Sequence, residues 1–94
     1  MTLEKIKEKS GILTWSEENI IEAPESPGIS ILRTSPINGA VVHIESSGNL
    51  KESLLKVLKE NIFPDTKFFD WYTTETKEEA ELIEKELVMK YSTL

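Results

Sequence analysis

Two stretches rich in β-branched residues face each other across a short polar gap. Ile29-Ser30-Ile31-Leu32-Arg33-Thr34 partly alternates apolar and polar side chains, and Ala40-Val41-Val42-His43-Ile44-Glu45 does so again. Both read as strands, because a period of two puts one set of side chains on a buried face. Between them, Ser35-Pro36-Ile37-Asn38-Gly39 ends in Asn-Gly, two residues that tolerate positive φ, so a hairpin is expected. After the loop-like Ser46-Ser47-Gly48-Asn49 the period changes. Leu50, Leu54, Leu55, Leu58 and Ile62 recur at helical spacing with Lys51, Glu52, Lys56, Lys59 and Glu60 on the wet side, and Pro64 closes the segment. Lys67 to Thr73 is dense in aromatic residues and reads as a third strand. Thr76 and Glu79 have the spacing of a capping box. The helix they open carries Ala80, Ile83, Leu87 and Tyr91 on one face, with Leu82 and Val88 beside them.

The pattern is weaker upstream. Thr2 to Lys9 alternates acid and base around Leu3 and Ile6 and reads as a short helix or an arm that ends at Ser10-Gly11. Ile12, Leu13 and Trp15 form an apolar patch, with Trp15 as a core anchor. Ala23-Pro24-Glu25-Ser26-Pro27-Gly28 is loop material. The expected architecture is of α/β class, α+β in type: a three-stranded, mainly antiparallel sheet flanked by helices, in β-β-α-β-α order. One domain is expected over 1–94, with 1–14 as an arm or helix and 15–91 as the core.

Composition narrows the chemistry. There are no cysteines, so disulfides, thiolate metal sites and cysteine nucleophiles are excluded. That absence, and a start without a following apolar stretch, lead to the expectation of a cytoplasmic protein with no membrane segment. Eleven Lys and Arg stand against seventeen Asp and Glu, a net charge of -6. Only Arg33 is an arginine, the residue best shaped for bidentate phosphate contacts. Nucleic-acid binders replace phosphate counterions with cations, so this balance disfavours nucleic acid as a partner.

Local words in this order resemble the GIY-YIG nuclease superfamily, from about Trp15 to Val88. Ser26-Pro27-Gly28-Ile29-Ser30 is similar to the family's lead into its first strand. His43-Ile44-Glu45-Ser46-Ser47-Gly48-Asn49-Leu50-Lys51-Glu52-Ser53 stands where the family has Tyr-Ile-Gly, a spacer, Asn-Leu and an arginine three residues later. Glu79-Ala80-Glu81-Leu82-Ile83-Glu84 has the family's alanine with a metal-binding glutamate four residues on. The resemblance implies the β-β-α-β-α fold and assigns roles by position. Ser30 and His43 replace the two cleft tyrosines, Glu45 the glycine, and Ser53 the phosphate-stabilising arginine. Glu84 keeps the metal-binding carboxylate, and Asn49 is kept as well, where it also suits a helix cap.

Phosphodiester cleavage needs a metal on phosphate, a base for water and a cation for developing charge. A single carboxylate binds Mg²⁺ weakly, and loss of a transition-state donor typically costs about 3 kcal/mol or more. The expectation is therefore a non-catalytic binding module with no cofactor, whose partner is a protein, a small ligand or a second copy in a homodimer. The alternative is a divergent metal-dependent nuclease. It would use His43 as base and Glu84, with Glu45 and His43, as ligands for Mg²⁺ or another divalent ion. For His43 the plainer reading is a half-buried strand residue with a backbone partner; for Glu84 it is one of many acids on a wet helix face. Phe68, Phe69, Trp71 and Tyr72 could stack on bases, but read first as packing.

Overall fold

The structure, a computed structural model, describes residues 6–36 and 40–92. The elements run β1 (Leu13–Thr14), α1 (Glu17–Ile20), β2 (Gly28–Arg33), β3 (Val41–Ser47), α2 (Leu50–Glu60), β4 (Phe68–Thr73) and α3 (Lys77–Ser92). From β2 onward this is the expected β-β-α-β-α order. The expected Asn38-Gly39 turn lies outside the described residues. Beside it, the Thr34 N–H donates to the Ala40 carbonyl at 2.9 Å.

The sheet has four strands, not the expected three, in the order β1-β4-β2-β3, and every pairing is antiparallel. The extra strand comes from the segment expected as a helix or arm. Lys7 N–H donates to the Thr73 carbonyl at 2.9 Å, Thr73 N–H to the Glu8 carbonyl at 2.8 Å, and Ser10 N–H to the Trp71 carbonyl at 3.0 Å. Leu13 and Thr14 then pair with Phe69 and Phe68. This arm covers backbone groups that would otherwise leave β4 as an open edge. Its pairing is mostly main chain to main chain, so side-chain periodicity gives little sign of it. Gly11 sits at φ 74° and breaks the run between Ser10 and Leu13, a conformation that costs a glycine little.

Two apolar clusters sandwich the sheet. On one face, Ile20 of α1, Ala23, and Leu54 and Val57 of α2 close over Leu32 and Phe69, with Trp15 edge-on to Phe69 at 5.3 Å between ring centroids. On the other, Ala80 and Ile83 of α3 close over Ile29, Ile31 and Ile44. Alternation along β2 and β4 feeds both faces, which is why the aromatic strand is core.

The helix ends differ slightly from expectation. The Asn61 backbone turns left-handed (φ 49°) and ends α2 before Ile62, which is left 46% exposed rather than on the buried face. β3 runs on to Ser47, through residues expected as loop. Thr76 Oγ1 accepts from Glu79 N–H at 3.1 Å, the hydroxyl half of the capping box. Leu82 and Val88 stay exposed on the outer side of α3. No helix among the described residues is long and apolar enough to cross a membrane.

Candidate functional site

β3 forms one edge of the sheet, with β2 beside it. Ile29 and Ile31 pack under α3, so the alternate residues Ser30 and Leu32 face α1 and α2. Ser30 is in register with Glu45, and Leu32 with His43. Ser30, His43 and Glu45 therefore share the α2 side. The register shifts between Leu32 and Arg33, leaving Val42 as an extra residue between His43 and Val41. Such a bulge re-aims side chains, and here Val42 joins the cluster on the α2 side, where its neighbour His43 also lies.

The fourth member comes from α2. Asn49 caps that helix, its Oδ1 accepting from Glu52 N–H at 3.1 Å, and this fixes where the first turn begins. Ser53 then stands one turn in, above β3. Ser53 Oγ donates to Glu45 Oε2 at 2.7 Å, and His43 Nε2 lies 3.3 Å from Glu45 Oε1. The imidazole stacks on Phe63, centroids 4.3 Å apart at 22°. His43 is half-buried, as the plainer reading had it, but its partners are a carboxylate and a ring rather than a backbone group.

Serine, histidine and a carboxylate thus meet, in an order unlike that of a hydrolase. A nucleophilic serine needs the imidazole between hydroxyl and acid, to take the hydroxyl proton. Here Glu45 sits in the middle, and the Ser53 hydroxyl is spent on it. The sequence marked Glu45 chiefly as a lost glycine. Its neighbours at 43 and, across the loop, at 53 were the available signal for a shared contact.

Glu84 stands apart from this group. It projects from α3, on the other side of the sheet, and its Oε1 accepts from Ser46 N–H at the free edge of β3 at 2.5 Å. Among the described residues no group of three or more His, Cys, Asp or Glu side chains is placed to hold a metal ion. His43 and Glu45 meet; Glu84 does not join them. Two shallow concavities flank the β3 edge. One, of about 370 Å³, is lined by Glu45, Glu52 and Lys56 among others. The other, of about 530 Å³, carries Glu78, Glu81 and Glu84 against Lys85. Carboxylates outnumber cations in both.

The one arginine is committed elsewhere. Arg33 Nε donates to Asp70 Oδ1 at 2.8 Å, both side chains 5% exposed, beneath α3. Tyr72 Oη donates to Asp70 Oδ2 at 3.1 Å. Its hydrogen bond to the Asp70 carboxylate raises the pKa of the Arg33 guanidinium above its usual value. Burial, and then the Asp70 charge, push the Tyr72 hydroxyl up to about 12. An isolated Asp inside an aromatic strand was the sequence signal for this pair.

Solved structures of the GIY-YIG N-terminal endonuclease domain of UvrC from Thermotoga maritima are similar to this chain in fold. The magnesium-bound form and a point mutant bound to its catalytic divalent cation each match with a TM-score of 0.68. Identity is 23% in both, over 80% of this chain and 88% and 87% of the two UvrC chains. The chain has a GIY-YIG-like fold. No family model matches the sequence, and no curated protein does. In this GIY-YIG-like domain Ser30, His43, Glu45 and Ser53 converge beside α2. Glu84, the position the sequence assigned to metal, is hydrogen-bonded to the β3 backbone. Among the described residues, His43, Glu45 and Glu84 do not converge on a common position for a divalent ion.

Proposed function

We propose that this domain is a non-catalytic GIY-YIG-like module that works by binding a protein or a small ligand. The observation that carries the reading is Glu45. Where the sequence resemblance expects glycine, a carboxylate takes the Ser53 hydroxyl and faces the His43 ring, so both family-equivalent positions are turned inward on an anion. A phosphate entering there would meet negative charge, with Arg33 buried on the far side. The two concavities at the β3 edge add to that repulsion. Glu84 has structural work at the Ser46 amide, which accounts for its presence without a metal.

The test joins binding and cleavage. The full chain is titrated with Mg²⁺ and Mn²⁺ while its backbone amides are followed, and incubated with plasmid and single-stranded DNA. The expected result is no saturable metal shift near Glu84 and His43, and intact DNA. Nicking that a chelator stops and Glu84→Ala abolishes would establish the divergent nuclease instead.

A further inference from the structure

On the α3 face, away from the Glu45 site, the N-terminal arm and the end of α3 enclose a cleft of about 500 Å³. Small-molecule sites commonly fall between about 300 and 1,000 Å³, largely apolar with a few polar groups. The cleft fits that description. Its floor is Ile31, in the middle of the sheet, and the ring of Tyr72; Leu87 and Tyr91 of α3 form one wall and Ile6 of the arm the other. The Tyr72 ring is held before any ligand arrives, because its hydroxyl is tied to Asp70, itself fixed by Arg33. Preorganised apolar surface of this kind loses little order on binding.

The rim has the opposite charge to the β3 edge. Lys7, Lys9 and Lys90 line it, against Glu8. Lys7 also reaches Glu75 at 3.5 Å, but those side chains are 57% and 70% exposed, a pair that water and salt readily loosen. Salt screens the rest of this acidic protein beyond a Debye length of about 8 Å. A small anion in the cleft therefore feels chiefly the lysines. A polyanion lying across the molecule would also meet the acidic surface.

We infer that this cleft binds a small organic anion with a flat apolar body, an aromatic carboxylate in chemical class. The body lies against the Tyr72 ring between Leu87, Tyr91 and Ile6, above the buried Ile31, and the carboxylate meets the lysine rim. This inference is independent of whether the α2 side cuts nucleic acid, because every readout below lies on the other face.

The probe is 1-naphthoate, with uncharged 1-naphthalenemethanol as its counterpart, titrated into the isotope-labelled full chain. Saturable amide shifts are expected at Ile31, Tyr72 and Leu87, with naphthoate the tighter by about fivefold or more at physiological salt, where the Debye length is about 8 Å. Lys9 is exposed and bridges Tyr72 through its backbone, so Lys9→Glu spares the fold. That variant should weaken naphthoate about tenfold and leave the alcohol as it was. An unchanged dispersion of amide signals checks that it is folded. Absence of saturation by roughly 10 mM, equal affinity for the two probes, or indifference to Lys9→Glu each overturns the assignment.

Discussion

Each side of the sheet holds a carboxylate between a nitrogen base and a hydroxyl, and the two arrangements do different work. Under α3, Asp70 joins Arg33 and Tyr72 with side chains of the ion pair 5% exposed. Beside α2, Glu45 joins His43 and Ser53 with 34% and 39% of the His43 and Glu45 side chains exposed. In the first, solvent has little access, attraction is weakly screened, and a lost partner strands a charge. In the second, water competes for each contact, so any one of them adds little. Chemically similar groups are therefore structural on one face and replaceable on the other. Ser30, His43, Glu45 and Ser53, the positions singled out by the sequence resemblance, gather on the replaceable side.

The most severe way to break that contrast is Asp70→Ala. Leaving the Arg33 guanidinium buried without its acid should cost about 3–5 kcal/mol, read as a lower urea midpoint at unchanged slope. Replacing both partners by apolar residues, Arg33→Met with Asp70→Leu, should recover most of the loss, since no charge is then stranded. A single substitution that proves nearly neutral would show that water reaches the pair, and the two faces would no longer differ in kind.

Gly28 comes next, where the faces meet at the start of β2. A Cβ there would run into the Tyr72 carbonyl and stand 2.7 Å from Leu50 Cδ1. β4 backbone cannot step aside within a sheet, so Gly28→Ala should cost about 1–3 kcal/mol by overpacking. The same loss should appear in thermal and urea unfolding. A smaller effect follows from Tyr72. Its hydroxyl is pushed up to about 12 by burial and by Asp70, above the ordinary value near 10. A raised folded-state value means a stabilising contribution that is complete below about pH 10 and fades as pH climbs toward about 12. Tyr72→Phe should flatten that part of the stability profile, measured by urea midpoints across the range. Identical profiles for the two proteins would remove Tyr72 from the buried network.

Most of this was legible where side chains announce their surroundings. The β-branched run of Ile29 to Arg33 gave the strand, although β2 is buried on both faces, and the spacing of Leu50 and Leu54 gave the helix because burial of one face imposes that period. The fourth strand was not legible. It is only Leu13 and Thr14, too short to show a period, and the arm before it, Lys7 to Ser10, is held mainly through main-chain groups with Lys7, Glu8 and Lys9 exposed, so its acid–base alternation looked like a helix surface. The limit of α2 was misjudged for a similar reason. A left-handed Asn61 stops the helix, and leucine spacing alone carries no backbone sign. At the site, Ser30, His43 and Ser53, picked out by resemblance alone, lie on one side of the sheet, and the carboxylate that joins His43 to Ser53 had stood mainly for a replaced glycine. For the Arg33–Asp70 pair, the isolated Asp in an aromatic strand was a signal, but across thirty-seven positions it names no partner.

The gentlest substitution sharpens the contrast most. Ser53→Ala removes the 2.7 Å hydrogen bond to Glu45, yet that carboxylate keeps water on its exposed side and His43 on the other. An acceptor that can be rehydrated does not bear the full penalty of an unmade bond, so the cost should be below about 1 kcal/mol. Alanine also suits a helix interior better than serine, which offsets part of even that. His43 should report the change sooner than stability does, through altered ring shifts against Phe63 as Glu45 is freed to reorient. If Ser53→Ala instead costs as much as Asp70→Ala, the α2 cluster is as dry and as structural as the α3 pair. The two faces would then not differ in kind.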